Sequence, residues 1–449
     1  MAPGKRFRVA ICGAGIGGLT AAVALAKFPD IELEIFEGAS QLAELGAGIG
    51  LFPRPWEVVR RLGLEADLLK ATEIKLTEGP VTSFRYRKSD QPRGLDFYKL
   101  VTKGNLMTFH RSDFQKVLLS KLPRSCRIHC SKRLRSYAQH QSGPIELFFE
   151  DGSTYTCDVL IGADGIKSVV RQNLLSEKAR WAQSEGRRAE AAEYAAGIDP
   201  VWCGTNAYRA LIPAERLRAR WPNHRVLTQP TQYLGEGGYM LAYPISLGKM
   251  INFVAFKSQH HLENTKFNGP WVSPTDSSEF VGMFRSWEPE VQALLDCVEK
   301  PLRWAIHTVR PLGTFTSGRV AILGDAAHAM TPHQGSGAGQ AIEDAYILAT
   351  VLGHPSTTRG NLANALSVYD RVRRSSSRKI QERSRLNGQY FTFHIDGVSF
   401  SNLGEEQLWS NLQKLGKAFT KNWEWVWTTS VEASVQEALR LLQESTAGR

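Results

Sequence analysis

Phe7-Arg8-Val9-Ala10-Ile11-Cys12, running into Gly13-Ala14-Gly15-Ile16-Gly17-Gly18, is the stretch on which the reading of the fold turns. The first six residues read as a short buried strand, the next six as a tight turn, and Leu19 to Lys27 as a helix. Glycines at 13, 15 and 18 fit G-x-G-x-x-G. The first permits the turn, the second lets backbone approach a pyrophosphate, and the third lets helix pack on strand. The helix N-terminus offers free N–H groups and a positive dipole end to phosphate. A second strand, Ile31 to Phe36, ends at Glu37, nineteen residues beyond Gly18, where a carboxylate accepts hydrogen bonds from a ribose hydroxyl. Gly13, Gly15, Ile16, Gly18 and Glu37 are thus candidate cofactor contacts. The turn itself leaves NAD and FAD open, since both carry an ADP half.

Two later anchors narrow the choice. Asp158-Val159-Leu160-Ile161-Gly162-Ala163-Asp164-Gly165 is a strand leading to an Asp-Gly turn. Arg319 to Gly324 is another strand, delivering Asp325 into Ala326-Ala327-His328-Ala329-Met330-Thr331-Pro332-His333-Gln334-Gly335-Ser336-Gly337-Ala338, after which the chain turns helical. A carboxylate at Asp325 suits a polyol hydroxyl. The glycine-rich turn through Gly337 and Ala338 to Gln340, leading into a helix read over Ala341 to Leu352, brings backbone N–H groups and a helix N-terminus that suit the negative charge of a reduced flavin. Together these segments resemble the fingerprints of the single-component (class A) FAD-dependent aromatic hydroxylases, the p-hydroxybenzoate hydroxylase superfamily. The resemblance covers roughly residues 7 to 430. It extends to Gly46-Ala47-Gly48-Ile49-Gly50, a loop that runs beside the flavin in that family, and to Arg111, which matches a cofactor-contacting arginine, and it implies Asp164 of the Asp-Gly turn as a further cofactor contact. Ser112 and Gln115 have capping-box spacing, which predicts a helix starting after Ser112. Pro332 to Gln340 and Trp423-Glu424-Trp425-Val426-Trp427 are similar to salicylate hydroxylases, and Pro53-Arg54-Pro55-Trp56 to their fungal branch.

What the resemblance implies is an α/β (α+β) chain. A Rossmann-like FAD-binding domain would comprise residues 1–75, 106–190 and 306–375. An inserted, mostly antiparallel substrate domain would comprise 76–105 and 191–305, and a helical C-terminal segment 376–449. Bound FAD, reduced by a transient NAD(P)H, would form a C4a-hydroperoxide with O₂ and hydroxylate a phenol or hydroxybenzoate, with loss of CO₂ where a carboxylate occupies the attacked carbon. No second G-x-G-x-x-G unit offers NAD(P)H a domain of its own.

The pocket is expected on a sheet built from Ala207–Pro213, Gly238–Pro244 and Lys249–Phe256, after a charged, alanine-rich connector from Ser176 to Ala196. Arg209 would anchor a carboxylate or phenolate. Tyr208, Tyr239, Met240 or Tyr243 would wall the ring, Pro332 would shape the edge near the reactive centre, and His333 would move a proton. Ordinary sheet packing is the competing reading for each wall residue, and a structural histidine the competing reading for His333.

Net charge is +11, from 55 basic and 44 acidic residues, which suits anionic small molecules as well as nucleic acid. The basic run Arg371 to Lys379 has helical spacing and no interleaved aromatics, so it reads as a solvated helix face or a phosphate contact rather than an RNA site. Six cysteines form no CxxC pair and join no His run, so no metal is expected. No apolar run approaches the ~20 residues of a membrane span. With few residues before the first strand, a cytoplasmic protein is expected, acting on a small aromatic substrate as a monomer or homodimer. Rival readings are an FAD-dependent epoxidase of an isoprenoid-type substrate, a flavin halogenase, whose Trp-x-Trp-x-Ile-Pro is missing, and a flavin-free binding protein of the GDP-dissociation-inhibitor type.

Overall fold

Strand Phe7–Cys12 lies near the middle of a six-stranded sheet ordered Thr316–Ser317, Val320–Ile322, Val159–Gly162, Phe7–Cys12, Ile31–Phe36, Arg127–His129. All pairings are parallel except the outermost hairpin of Thr316–Ser317 with Val320–Ile322. The computed structural model describes residues 4–42, 48–72, 74–245 and 248–447, so Gly46 and Ala47 of the flavin-loop reading lie outside the described residues. Strands buried on both faces are nearly continuous in apolar residues, as parallel strands covered by helices must be. Helix Ile16–Leu25 packs on helix Gly337–Gly353 through small residues; a Cβ at Gly17 would lie 3.2 Å from that of Ala341.

A second, eight-stranded sheet draws on two stretches of chain. Its order is Val272–Pro274, Leu302–Thr308, Val201–Pro213, Met250–Ser258, Gly238–Ile245, Thr231–Gly235, Pro80–Lys88, Leu95–Lys103. Every pairing is antiparallel except that of Thr231–Gly235 with Pro80–Lys88. Its two faces bury separate cores. Tyr208, Ala210, Ile212, Met240 and Ala242 pack in one with Phe280 and Phe284. Ala207, Tyr239, Val254 and Phe256 pack in the other with Phe391 and Trp423. Side chains two apart share a face. Arg209 therefore lies with Ala207, and Tyr243 with Tyr239, on the second face.

One expectation changes here. Ser176 to Ala196 is no connector: it falls in helices Val169–Ser184 and Arg188–Ala196, which pack on each other. The end of the chain forms helices Glu405–Trp423, Trp425–Thr428 and Glu432–Ala447. The first buries Leu412, Leu415 and Phe419 under the eight-stranded sheet, and the last puts Val435, Ala438, Leu441 and Leu442 into the core of the parallel one. No helix among the described residues is long and apolar enough to cross a membrane.

Candidate active site

Adjacent strands of the parallel sheet deliver Gly13, Ala163 and Leu323 side by side at their carboxyl ends, the usual place for a ligand crevice in open α/β sheets. Gly13 has φ +104°, and a Cβ there would sit 2.3 Å from the Ala163 carbonyl oxygen. One at Gly18 would sit 2.0 Å from the Gly13 carbonyl, so both positions admit no side chain. A Cβ at Gly15 would meet nothing within 4 Å: this glycine faces open space, at a helix N-terminus with no capping side chain. Ile16 contributes a first-turn amide while its side chain is buried. Glu37 accepts from the Ala14 and Ala39 amides, each at 2.8 Å, which fixes its carboxylate beside the turn.

The second anchor has a different occupation from the one expected. Asp164 accepts from Ser168 Oγ at 2.5 Å and from the amides of Val169 and Val170 at 2.8 and 3.1 Å. Its carboxylate caps helix Val169–Ser184 and is turned into the protein, and burial raises its pKa. Asp325 is the opposite case. It is exposed at the head of helix Asp325–His328 while Gly324, Ala326 and Ala327 around it are buried, and no hydrogen bond to its side chain occurs among the described residues. Pro332 and Gly335 are exposed in the same way beside buried His333 and Gln334. Helix Gly337–Gly353 starts there without a side-chain cap, with Gly337 and Ala338 half-buried at its positive end.

Gly50 lies in strand Gly48–Leu51, paired with Met107–His110, so Arg111 follows directly from the partner strand and is exposed. The helix begins at Arg111 with His110 as its cap residue, not after Ser112. The capping box fails because Gln115 is used elsewhere: its Nε2 donates to the Ala14 carbonyl at 3.4 Å, tying this helix to the dinucleotide turn.

On the sheet face above, Arg209 stands 5.8 Å from the Trp304 ring centroid. Burial lowers its pKa, an effect that nearby Tyr243 opposes. No carboxylate pairs with it among the described residues. Tyr239 stacks on Phe256 at 4.3 Å and shares a 2.5 Å hydrogen bond with His333 Nδ1. His333 is buried, and desolvation pushes its pKa down to about 3, so the ring is neutral. Gly388 makes room for it, since a Cβ there would lie 2.5 Å from His333 Cδ2. Tyr208 and Met240 are not in this group. Their odd–even position turns them to the far face, where Tyr208 stacks on Phe280 at 4.5 Å and donates to Glu279 at 3.0 Å.

Three features escaped the reading of the sequence. Arg171 is fully buried and donates to the carbonyls of Ile166, Ile198 and Ala326, bracing the two aspartate turns against each other. Arg373, in the middle of the basic run, is also fully buried, paired to Asp344 at 2.7 Å and Glu343 at 3.0 Å. Asp344 in turn binds His328 Nε2 at 2.5 Å and the Gly324 amide at 2.9 Å. The available signal was Glu343-Asp344 thirty residues upstream of Arg373, but only tertiary structure joins them. The third feature is Arg54, described below.

The chain matches the model of a family described as "FAD binding domain" over residues 6–202 and 296–384. It is 36% identical to an FAD-dependent monooxygenase from Strobilurus tenacellus, covering 99% of both chains. It is 32% identical to a salicylate hydroxylase from Pseudomonas putida, covering 96% of this chain and 94% of that one. A solved salicylate hydroxylase in complex with substrate superimposes with a TM-score of 0.82 at 31% identity, over 97% of this chain and 98% of the other.

Proposed function

The chain belongs to the FAD-binding-domain family of monooxygenases, and from that premise we propose that its substrate is an aromatic acid bearing a phenolic hydroxyl. The observation that carries the reading is Arg209, a desolvated cation with no carboxylate partner among the described residues, set on the sheet face that also holds Tyr239 and Tyr243. An arginine cannot escape burial by losing its proton, so a site that leaves one unpaired suits an anionic ligand. An uncharged isoprenoid would leave that charge unmet.

The cradle fits FAD: the open backbone at Gly15 and the uncapped helix start at Ile16 would take the pyrophosphate, Glu37 the adenosine ribose and Asp325 the ribityl chain. Gly50, Arg111 and the start of helix Gly337–Gly353 would border the ring system. Bound FAD, reduced by NAD(P)H, supplies the activation of O₂. The protein does the rest. Arg209 holds the substrate carboxylate or phenolate and favours ionisation of the phenol, which makes the ring electron-rich. Phe256, Tyr239 and Trp304 supply apolar walls. Neutral His333 fixes the Tyr239 hydroxyl by hydrogen bonding, a positioning role, since a ring desolvated this far takes up no second proton at working pH.

The test is NAD(P)H oxidation over a panel of hydroxybenzoates, with analysis of oxygenated product and CO₂. Arg209→Met raises KM for the accepted acid by roughly 10–100-fold, the worth of a charge-assisted hydrogen bond, with a smaller effect on kcat. If no phenolic acid yields oxygenated product, the substrate class is wrong.

A further inference from the structure

Arg54 places all of its donors. Its Nε and Nη2 form a forked pair with Glu343, both at 3.1 Å. Nη1 donates to Thr429 Oγ1 and the Ser430 carbonyl, both at 2.8 Å, and Nη2 also reaches Ser434 Oγ at 3.3 Å. Glu343 is itself held from behind by Arg373, so this charge cannot move without exposing another. Three elements therefore meet in one guanidinium. They are helix Pro53–Leu62, which continues the Gly50 strand, the second turn of helix Gly337–Gly353, and the end of the chain.

The same end of the chain touches the Gly50 strand at two further points. Trp423 meets Phe52 edge-on at 5.9 Å. Trp425 and Val426 line a small cavity together with Gly50, Phe52, Gly335 and Ser336, and the Trp425 indole nitrogen is buried without a hydrogen-bond partner among the described residues. A second set of bonds backs the clamp: Glu57 accepts from Ser430 Oγ at 2.8 Å and the Val431 amide at 3.0 Å, and Arg61 pairs with Glu432 at 2.6 Å.

We infer that residues 423–434 are a retention clamp for the cofactor, with Arg54 as the positioning residue that transmits it. On the cofactor placement proposed above, on which this clamp rests, Gly50 and Gly337 border the ring site from two sides. A Cβ at Gly339 would lie 3.0 Å from Pro55 Cγ, so their separation is set by direct packing. Arg54 locks that packing to the turn that leads into helix Glu432–Ala447 and to the first turn of that helix. The coupling is reciprocal: whatever strengthens the clamp tightens FAD, and bound FAD protects the clamp.

The experiment uses the full-length holoenzyme and its FAD-stripped form. Arg54→Met raises the Kd for FAD about tenfold, the equivalent of ~1.4 kcal/mol of coupling. Arg54→Lys recovers part of the loss, and Arg220→Met, which breaks an exposed pair with Asp296, leaves Kd unchanged. Adding FAD to the parent protein slows amide exchange in 423–434. A Kd within twofold of the parent in Arg54→Met, or an exchange rate in 423–434 indifferent to FAD, overturns the inference. Should Arg54→Met not fold, Thr429→Val with Ser434→Ala decides: about a threefold rise in Kd supports the clamp, and an unchanged Kd overturns it.

Discussion

Arg209 is partly and His333 fully desolvated, and they answer that in opposite ways. A guanidinium stays charged at any physiological pH and so creates a demand for an anion. An imidazole gives up its proton, and His333, pushed down to about 3, does so with Tyr239 as its hydrogen-bond partner. The second behaviour has a measurable consequence. In the unfolded chain a histidine titrates near 6.5. Between about pH 6.5 and 3 the unfolded state binds a proton that native His333 refuses, so stability falls as pH drops through that window and is independent of this group above it. The native pKa being far below 5, the loss at pH 5 is about 2 kcal/mol. His333→Gln keeps an acceptor for Tyr239 and removes the titration. Urea unfolding at pH 7 and pH 5 should show a smaller drop in midpoint for the variant than for the parent. Equal drops would mean that the parent's acid sensitivity comes from other groups, among them His260, lowered to about 4 by burial and by neighbouring His394.

At the scale of elements, strand parity decides which side chains reach the pocket. Met240 is fully buried on the face away from Arg209. Met240→Ala should cost about 2–5 kcal/mol in a urea melt, as other buried methionine truncations do, while KM for the aromatic acid stays within about twofold. A large rise in KM without loss of stability would put Met240 in the pocket after all. The same parity explains which parts of the site could be read in advance. The glycine turn and the strand ends rest on local patterns and stand where those patterns put them, whereas both helices begin earlier than read, at Ile16 rather than Leu19 and at Gly337 rather than Ala341, because the glycines that mark each turn are themselves taken into the first helical turn. The orientation of Tyr208 and Met240 needed to know which sheet face meets the cofactor domain, and nothing local encodes that. Asp164 looked like a ligand contact because an Asp-Gly turn follows a strand, but Ser168 four residues on offers a helix start for the carboxylate to cap. The buried cluster of Arg54, Glu343, Asp344 and Arg373 joins residues too far apart in sequence for any periodicity to reveal.

For the whole molecule, the crevice is assembled from the ends of Phe7–Cys12, Val159–Gly162 and Val320–Ile322, from the Gly50 strand, and from the start of helix Gly337–Gly353. A ligand that spans it adds one more link between these parts of the chain, and it binds the native state alone. At a free concentration one hundred times its Kd such a ligand adds about 2.7 kcal/mol to the free energy of unfolding. Pieces of the dinucleotide dissect the crevice. On the proposed placement FMN would carry the ring and the polyol but leave the Gly13–Gly18 turn and Glu37 unfilled, whereas ADP would fill those and leave Asp325 and Gly337 untouched. Thermal melts of FAD-stripped protein at equal ligand concentrations should therefore rank FAD well above either fragment, with ADP and FMN each giving a small upward shift. Replacing Gly15 by a bulky residue such as Leu, in the open space before Ile16, should abolish the ADP shift and spare that of FMN. If FMN alone raised the melting temperature as far as FAD does, the glycine turn would be a packing device without a phosphate to hold.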